Sequence, residues 1–156
     1  YRLSQNTNLN RFLSPSNESN NLIFNKFFRK ITKNKEKNVK ILKIKGRKFH
    51  IENFYEGVAK FKFYELCDRN LGSEDYISLV NNCNFIFIEN LPIFDENNSN
   101  QQNRFITLID IIYEKKIPLM ITSQLELNLM KSSKSLSEPF KRTISRLYEL
   151  TSMTYN

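Results

Sequence analysis

An α/β fold follows from three observations. Phe85 to Ile88 and Ile117 to Ile121 are continuous apolar runs, as in strands buried on both faces. An apolar stripe of helical period lies between them, the mark of a βαβ unit with a parallel sheet. Upstream, the runs between Val39 and Phe63 alternate apolar and polar residues, as half-buried antiparallel strands do. The expected architecture is a basic helix, a small antiparallel β meander, then βαβ layers with a closing C-terminal helix. Residues 1–38 form the entry segment and basic helix, and residues 39–156 the α/β domain.

Each element has a local reason. Residues 1–19 are rich in Asn and Ser and contain Pro15, so they read as irregular. Ser19 is placed to cap a helix whose apolar stripe is Phe24, Phe27, Phe28 and Ile31. Residues 39–45 alternate, and after Gly46 so do residues 48–52, which predicts a hairpin turning at Gly46. Val58 to Phe63, set off by Gly57, is the third strand of the expected meander. Ser73 caps a short helix carrying Tyr76, Ile77 and Val80, with Glu74 and Asp75 where the macrodipole favours acids. Ser99 and Gln102 match a capping box before a helix with Phe105, Leu108, Ile109 and Ile112 on its inner face. A right-handed crossover should join the two buried strands. The last helix opens at Ser137, with Glu138 and Pro139 in its first turn, and buries Phe140, Ile144 and Leu147.

Composition narrows the function classes. With 40% apolar residues, 156 residues can bury one core. No run approaches the roughly 18 apolar residues a spanning helix requires, and the opening lacks the pattern of a secretory signal. A cytoplasmic location is expected, with peripheral attachment to an inner membrane or division site left open. Cys67, Cys83 and the single His50 do not make a zinc set, and no metal site is expected; the thiols read as reduced core residues. Lys26 to Lys48 contains eleven Lys or Arg residues against the one acid Glu36, within a net charge of +8. Such a segment suits nucleic acid or an anionic membrane, but Phe27 and Phe28 fit an inward stripe and no RNA-binding motif is present. A solvated basic face is preferred over nucleic-acid binding.

Five ordered blocks carry a resemblance: FKFYELC from Phe61, SEDYISLV from Ser73, FIFIENLPIF from Phe85, RFITLIDIIYEKKIPLMITS from Arg104 and FKRTISRLYELTSMTY from Phe140. Together they resemble the distal part of the ZapE-type cell-division ATPases, AAA+ P-loop proteins that include the mitochondrial lactation-elevated ATPases. The opening YRL and RFLSPSNE are similar to the stretch just past that family's ATPase core. The resemblance implies a protein that uses ATP and Mg²⁺ to remodel protein partners. In bacteria these would include an FtsZ-like division protein, and in mitochondria the role would be protein quality control. Homo-oligomerisation is compatible with it. No GxxxxGK[ST] loop occurs in the sequence, so the phosphate loop and acidic pair are expected in an upstream core, and the fragment alone is not expected to hydrolyse or bind ATP.

Two arginines are the sharpest candidates. Arg142 and Arg146 lie four apart on the last helix, so both guanidinium groups project to one side and could serve a γ-phosphate across a subunit interface. The plainer reading pairs them with surface acids such as Glu138 or Glu149. FIFIEN has the shape of a Walker B strand, but Glu89 is followed by Asn90 instead of a second acid, which favours a purely structural strand. Arg104 and Asp110 match family blocks and are read as an ion-pair or solvent residue and a polar-face residue. Asp75 and Tyr76 are read as a helix-start acid and a packed ring. The competing function is a non-enzymatic basic module that binds nucleic acid or an anionic membrane through Lys26 to Lys48.

Overall fold

The computed structural model describes residues 10–155. The YRL opening and the rest of residues 1–9 of the expected entry segment lie outside the described residues. A five-stranded sheet forms the centre, in the order β1 (Phe12–Leu13), β7 (Leu119–Ser123), β6 (Phe85–Leu91), β5 (Val58–Lys62) and β4 (Asn53–Tyr55). The first four strands are mutually parallel, and β4 pairs antiparallel with β5. A separate hairpin joins β2 (Lys40–Ile44) to β3 (Arg47–Ile51). Among the described residues, five α-helices complete the fold, α1 (Glu18–Thr32), α2 (Phe63–Cys67), α3 (Ser73–Asn81), α4 (Ser99–Lys115) and α5 (Ser137–Ser152), with short 3-10 turns between some of them.

The expected α/β class and closing helix are present, but the meander is divided. The run Val58 to Phe63 does not continue the β2–β3 hairpin. It lies parallel to β6, with Val58 opposite Phe85 and Phe61 opposite Ile88. Both hairpins have two-residue loops, Lys45–Gly46 and Glu56–Gly57, in which both residues take positive φ. That is the turn whose twist matches the flanking strands. A Cβ at Gly57 would meet the Asn84 side chain at 2.5 Å, which adds a steric demand to the positive φ of 99°.

Alternation along β6 sorts the core onto two faces. Phe85 and Phe87, with Val58 and Met120, pack against Phe24 and Phe28 of α1. Ile86 and Ile88, with Ala59, Phe61, Leu119 and Ile121, face the core shared with α3, α4 and α5. The α1 stripe is as expected, with Phe27 and Ile31 partly buried beside it. Its cap is Asn17, whose side chain accepts from Asn20 N at 2.8 Å, not Ser19. In α3, Tyr76 and Val80 are buried as expected, but Leu79 takes the inner position and Ile77 is 45% exposed. Gly72 and not Ser73 is the N-cap, and its N–H donates to the Asp75 carboxylate at 2.8 Å.

Gln102 is not a capping residue. It is fully buried, donates to Asp95 O at 2.5 Å and Asn98 Oδ1 at 2.8 Å, and accepts from Ser133 N at 2.8 Å. The amide thus ties the start of α4 to the loop after β7. In α5, Phe140 and Leu147 are buried as predicted, joined by Leu150, while Ile144 is half-buried.

Arg11 closes the sheet. Only 4% exposed, it donates from Nε to Leu119 O at 2.9 Å and from Nη2 to Leu150 O at 3.0 Å, and its guanidinium lies 5.5 Å from the Phe85 ring centroid. Burial lowers its pKa from the ordinary value. One side chain therefore links the sheet edge at β1 to β7 and to the end of α5.

Truncating Phe87→Ala should destabilise the chain by about 3–5 kcal/mol in urea unfolding, because the ring sits between strand and helix and leaves a cavity. Gly57→Ala should also lower the unfolding midpoint, since its backbone conformation and the Asn84 contact both oppose a Cβ.

Candidate functional site

The polar features fall into three places: the carboxyl ends of β6 and β7, the outer flank shared by α4 and α5, and the basic segment at α1 and the β2–β3 hairpin. At the first, β6 carries a bulge. Ile88 pairs with Ile121 but Leu91 with Ser123, so β6 holds one extra residue. Asn90 takes a positive φ of 62° there, and its N–H donates to Thr122 Oγ1 at 2.9 Å. The bulge interrupts the ladder at the Glu89–Asn90 step, where a Walker B strand would present its acids, and pairing resumes at Leu91. Glu89 is half-exposed, and Thr122 and Ser123 are buried. Among the described residues, no group of three or more His, Cys, Asp or Glu side chains could hold a metal ion.

The second place gathers more charge. Apolar spacing on α4 buries Phe105, Leu108, Ile109 and Ile112, which leaves Asp110 and Tyr113 on the flank facing α5. On α5 the burial of Phe140, Thr143, Leu147 and Leu150 turns Arg142, Arg146 and Glu149 toward that same flank. Arg146 Nη1 donates to Asp110 Oδ1 at 2.5 Å, and Arg142 Nη2 to Asp110 Oδ2 at 3.2 Å. The Arg146 guanidinium also lies 4.5 Å from the Tyr113 ring centroid. Tyr113 OH donates to Glu149 Oε1 at 3.0 Å, and Lys116 Nζ to Glu149 Oε2 at 2.8 Å. The Lys116 ammonium holds the Glu149 carboxyl below its ordinary pKa, with Tyr113 adding to the effect, and Lys116 is raised in return.

These contacts correct the expected pairing. Arg142 and Arg146 do turn to one side, but they share Asp110, whereas Glu138 pairs with Lys141 and Glu149 with Lys116. Two cations on one carboxylate leave local positive charge in a partly exposed position, the arrangement that accepts a further oxyanion. Arg104 is neither a free nor an ion-paired surface residue. It donates to Cys67 O at 2.9 Å and so caps the end of α2. Neither Asp110 as a junction nor Tyr113 as a platform was read from the sequence. The spacing of Asp110 and Tyr113, and of Arg142, Arg146 and Glu149, carries the signal, but only the packing of α4 on α5 makes it legible.

The basic segment divides as well. Lys45 pairs with Glu74 at 3.0 Å and Arg47 with Asp75 at 2.8 Å. Lys26 and Lys30 border an apolar groove of about 440 Å³ with Ile23, Phe27 and Met120. Lys43 and Lys48 sit directly opposite each other on the exposed face of the hairpin, an arrangement that costs stability unless an anion lies nearby. Phe27 and Phe28 belong to the core, where they pack against Phe87.

A family model described as AFG1-like ATPase matches residues 1–156. The chain belongs to this AFG1-like ATPase family. Among curated relatives, it is 25% identical to the cell division protein ZapE of Escherichia coli (strain K12) over 155 residues. That match covers 99% of this chain and 41% of the relative. It is 28% identical to the lactation elevated protein 1 homolog B of Danio rerio over 89 residues, covering 57% of this chain and 18% of that protein. The chain thus spans about two fifths of the length of the bacterial relative. No solved structure matches it. Among the described residues, no helix is long and apolar enough to cross a membrane.

Both cysteines of this AFG1-like chain are buried thiols. Burial pushes Cys83 up to about 12 and raises Cys67 further from its ordinary value. Both thiols should resist iodoacetamide at pH 8 until denaturant is added, as read by mass spectrometry. Because the folded state holds these protons longer than the unfolded one, their contribution is fully present below about pH 8.5 and declines as pH rises toward 12. Urea midpoints measured across that range should fall, and a Cys83→Ala variant should fall less steeply.

Proposed function

We propose that this chain is the distal part of an ATP hydrolase of the AFG1-like family, in which it supports nucleotide turnover coupled to the remodelling of protein partners. The observation that carries the reading is the family match along the whole of residues 1–156. Clients of the FtsZ class, a cytoplasmic site of action and assembly into a homo-oligomer are parts of the same proposal. The choice of a division-protein client is motivated by the likeness to a relative named as a cell division protein.

The division of labour follows from the residues present. Phosphoryl transfer requires a phosphate loop and metal ligands; the sequence contains no GxxxxGK[ST] motif, and among the described residues no group of three or more candidate ligands could hold a metal ion. Mg²⁺, where bound, would neutralise charge on the phosphate oxygens, and its ligands would come from a nucleotide-binding core joined upstream. The contribution of this chain would be Arg142 and Arg146, presented on α5 to the nucleotide of a neighbouring subunit. Arginine supplied in trans stabilises charge that develops on the transferred phosphoryl group. The excess of guanidinium over carboxylate at Asp110 suits that role.

A second reading rests on Lys43 opposite Lys48. Their exposed pairing supports a basic surface that docks a polyanion, nucleic acid or an anionic membrane, with the α/β core as scaffold.

The test is Arg146→Ala in the full-length protein. ATP turnover should drop by about 10³-fold if the side chain acts in trans, with assembly retained in sedimentation. Turnover within twofold of wild type for both Arg146→Ala and Arg142→Ala would reject the role. Salt separates the second reading, because polyanion docking through Lys43 and Lys48 should weaken steeply between 50 and about 200 mM salt.

A further inference from the structure

We propose that Asp110 is a positioning residue: its carboxylate sets the geometry in which Arg142 and Arg146 are offered to a phosphate oxyanion. This rests on the reading of those arginines as donors to a neighbouring subunit's nucleotide.

Three observations carry it. First, Asp110 uses both carboxylate oxygens, one for each arginine, at 2.5 Å and 3.2 Å. Each guanidinium has five donors, so a single bond to Asp110 fixes its direction while leaving other N–H groups free to engage a second anion. Second, Arg146 is held on two sides, by Asp110 at one edge and by the Tyr113 ring at 4.5 Å. Tyr113 is itself held, because its hydroxyl donates to Glu149 and Lys116 Nζ lies 3.4 Å from its ring centroid. The side chains of Arg146 and Arg142 are 26% and 49% exposed, so the pair is restrained without being sealed. Third, the acids around the pair are otherwise engaged. Glu149 takes Lys116, and Glu138 takes Lys141, so among the described residues no second carboxylate pairs with either arginine.

Asp110 comes from α4 and the arginines from α5, so the alignment of the donors depends on the packing of two helices. A long side chain on a helix surface otherwise samples many rotamers, and a misplacement of about 1 Å at a reacting centre can cost about 10²-fold in rate. Asp110 removes that freedom before any phosphate arrives. The same carboxylate would also oppose an incoming anion by repulsion. Geometry and repulsion act in opposite directions, and the sign of the effect of Asp110→Asn separates positioning from restraint.

The experiment uses the full-length protein with Asp110→Asn, Asp110→Glu, Arg146→Ala and the Asp110→Asn/Arg146→Ala pair. Positioning predicts that Asp110→Asn lowers kcat by about tenfold or more with KM for ATP within twofold. Asp110→Asn should cost less in the Arg146→Ala background than on its own, because only the positioning of Arg142 is then left to lose, and Asp110→Glu should recover part of the loss. A readout independent of turnover is phenylglyoxal labelling without nucleotide: Arg142 and Arg146 should be modified several-fold faster in Asp110→Asn, at unchanged melting temperature. Unchanged kcat, or an increase, in Asp110→Asn while Arg146→Ala is impaired would overturn the positioning role and leave the arginine reading standing. Normal turnover in Arg142→Ala and Arg146→Ala would overturn both. Should Asp110→Asn melt early, Asp110→Glu decides: full loss of turnover in a stably folded Asp110→Glu, with labelling at the wild-type rate, counts against positioning.

Discussion

The whole arrangement depends on β6 being buried on both faces. Seven consecutive residues, Phe85–Leu91, lie between β5 and β7, and the alternation of Phe with Ile sends aromatic bulk to one side and branched aliphatic groups to the other. The aromatic face demands a cover, which α1 supplies with Phe24 and Phe28. The aliphatic face demands another, which α3, α4 and α5 supply. Neither helical layer could bury its stripe without this strand. A slip of one residue in its register would exchange the two faces and leave both layers facing the wrong partners.

The same constraint places the charged flank. Because α4 and α5 must both turn their apolar residues to the Ile86–Ile88 side, their polar residues meet at the outer seam between them. Asp110, Tyr113, Arg142, Arg146 and Glu149 are brought together there as a consequence of burying Ile109, Ile112 and Leu147. The candidate site therefore sits on a helix pair and not in the crevice at the carboxyl ends of the strands, where open α/β sheets commonly bind ligands. At those ends the bulge at Glu89–Asn90 and the Thr122 hydroxyl occupy one another. Arg11 adds the long-range tie, since a donor near the start of the described chain satisfies carbonyls on β7 and at the end of α5.

Local pattern accounts for much of this. Helical period identified α1 by Phe24, Phe27, Phe28 and Ile31, continuous apolar runs identified β6 and β7, and the glycine at 46 identified a hairpin whose loop requires positive φ. Each of these signals is short-range, so the sequence displays it directly. Arg142 and Arg146 could be placed on one side of a helix from their spacing alone. The order of blocks pointed to the family that the match along the chain established.

What the sequence determined by itself was therefore the type of the long periodic elements, most of their inward faces and the membership of a family, because each depends on neighbours within a few residues or on motif order, whereas the short β1, β4 and α2 and the inward turn of Leu79 in place of Ile77 were not displayed. Tertiary structure decided the rest. Val58–Lys62 alternates as an antiparallel strand would and does pair so with β4, but its other edge joins β6 in parallel, where Ala59 and Phe61 are buried in one core with Ile86 and Ile88, a pairing that local pattern does not display. Arg11 lies inside the expected irregular segment 1–19 and becomes a buried link only when Leu119 and Leu150, more than a hundred residues away, present their carbonyls. The partner of the two arginines was hidden for the same reason. Asp110 lies 32 and 36 residues from them, and nothing local distinguishes it from Glu138 or Glu149 until α4 packs on α5.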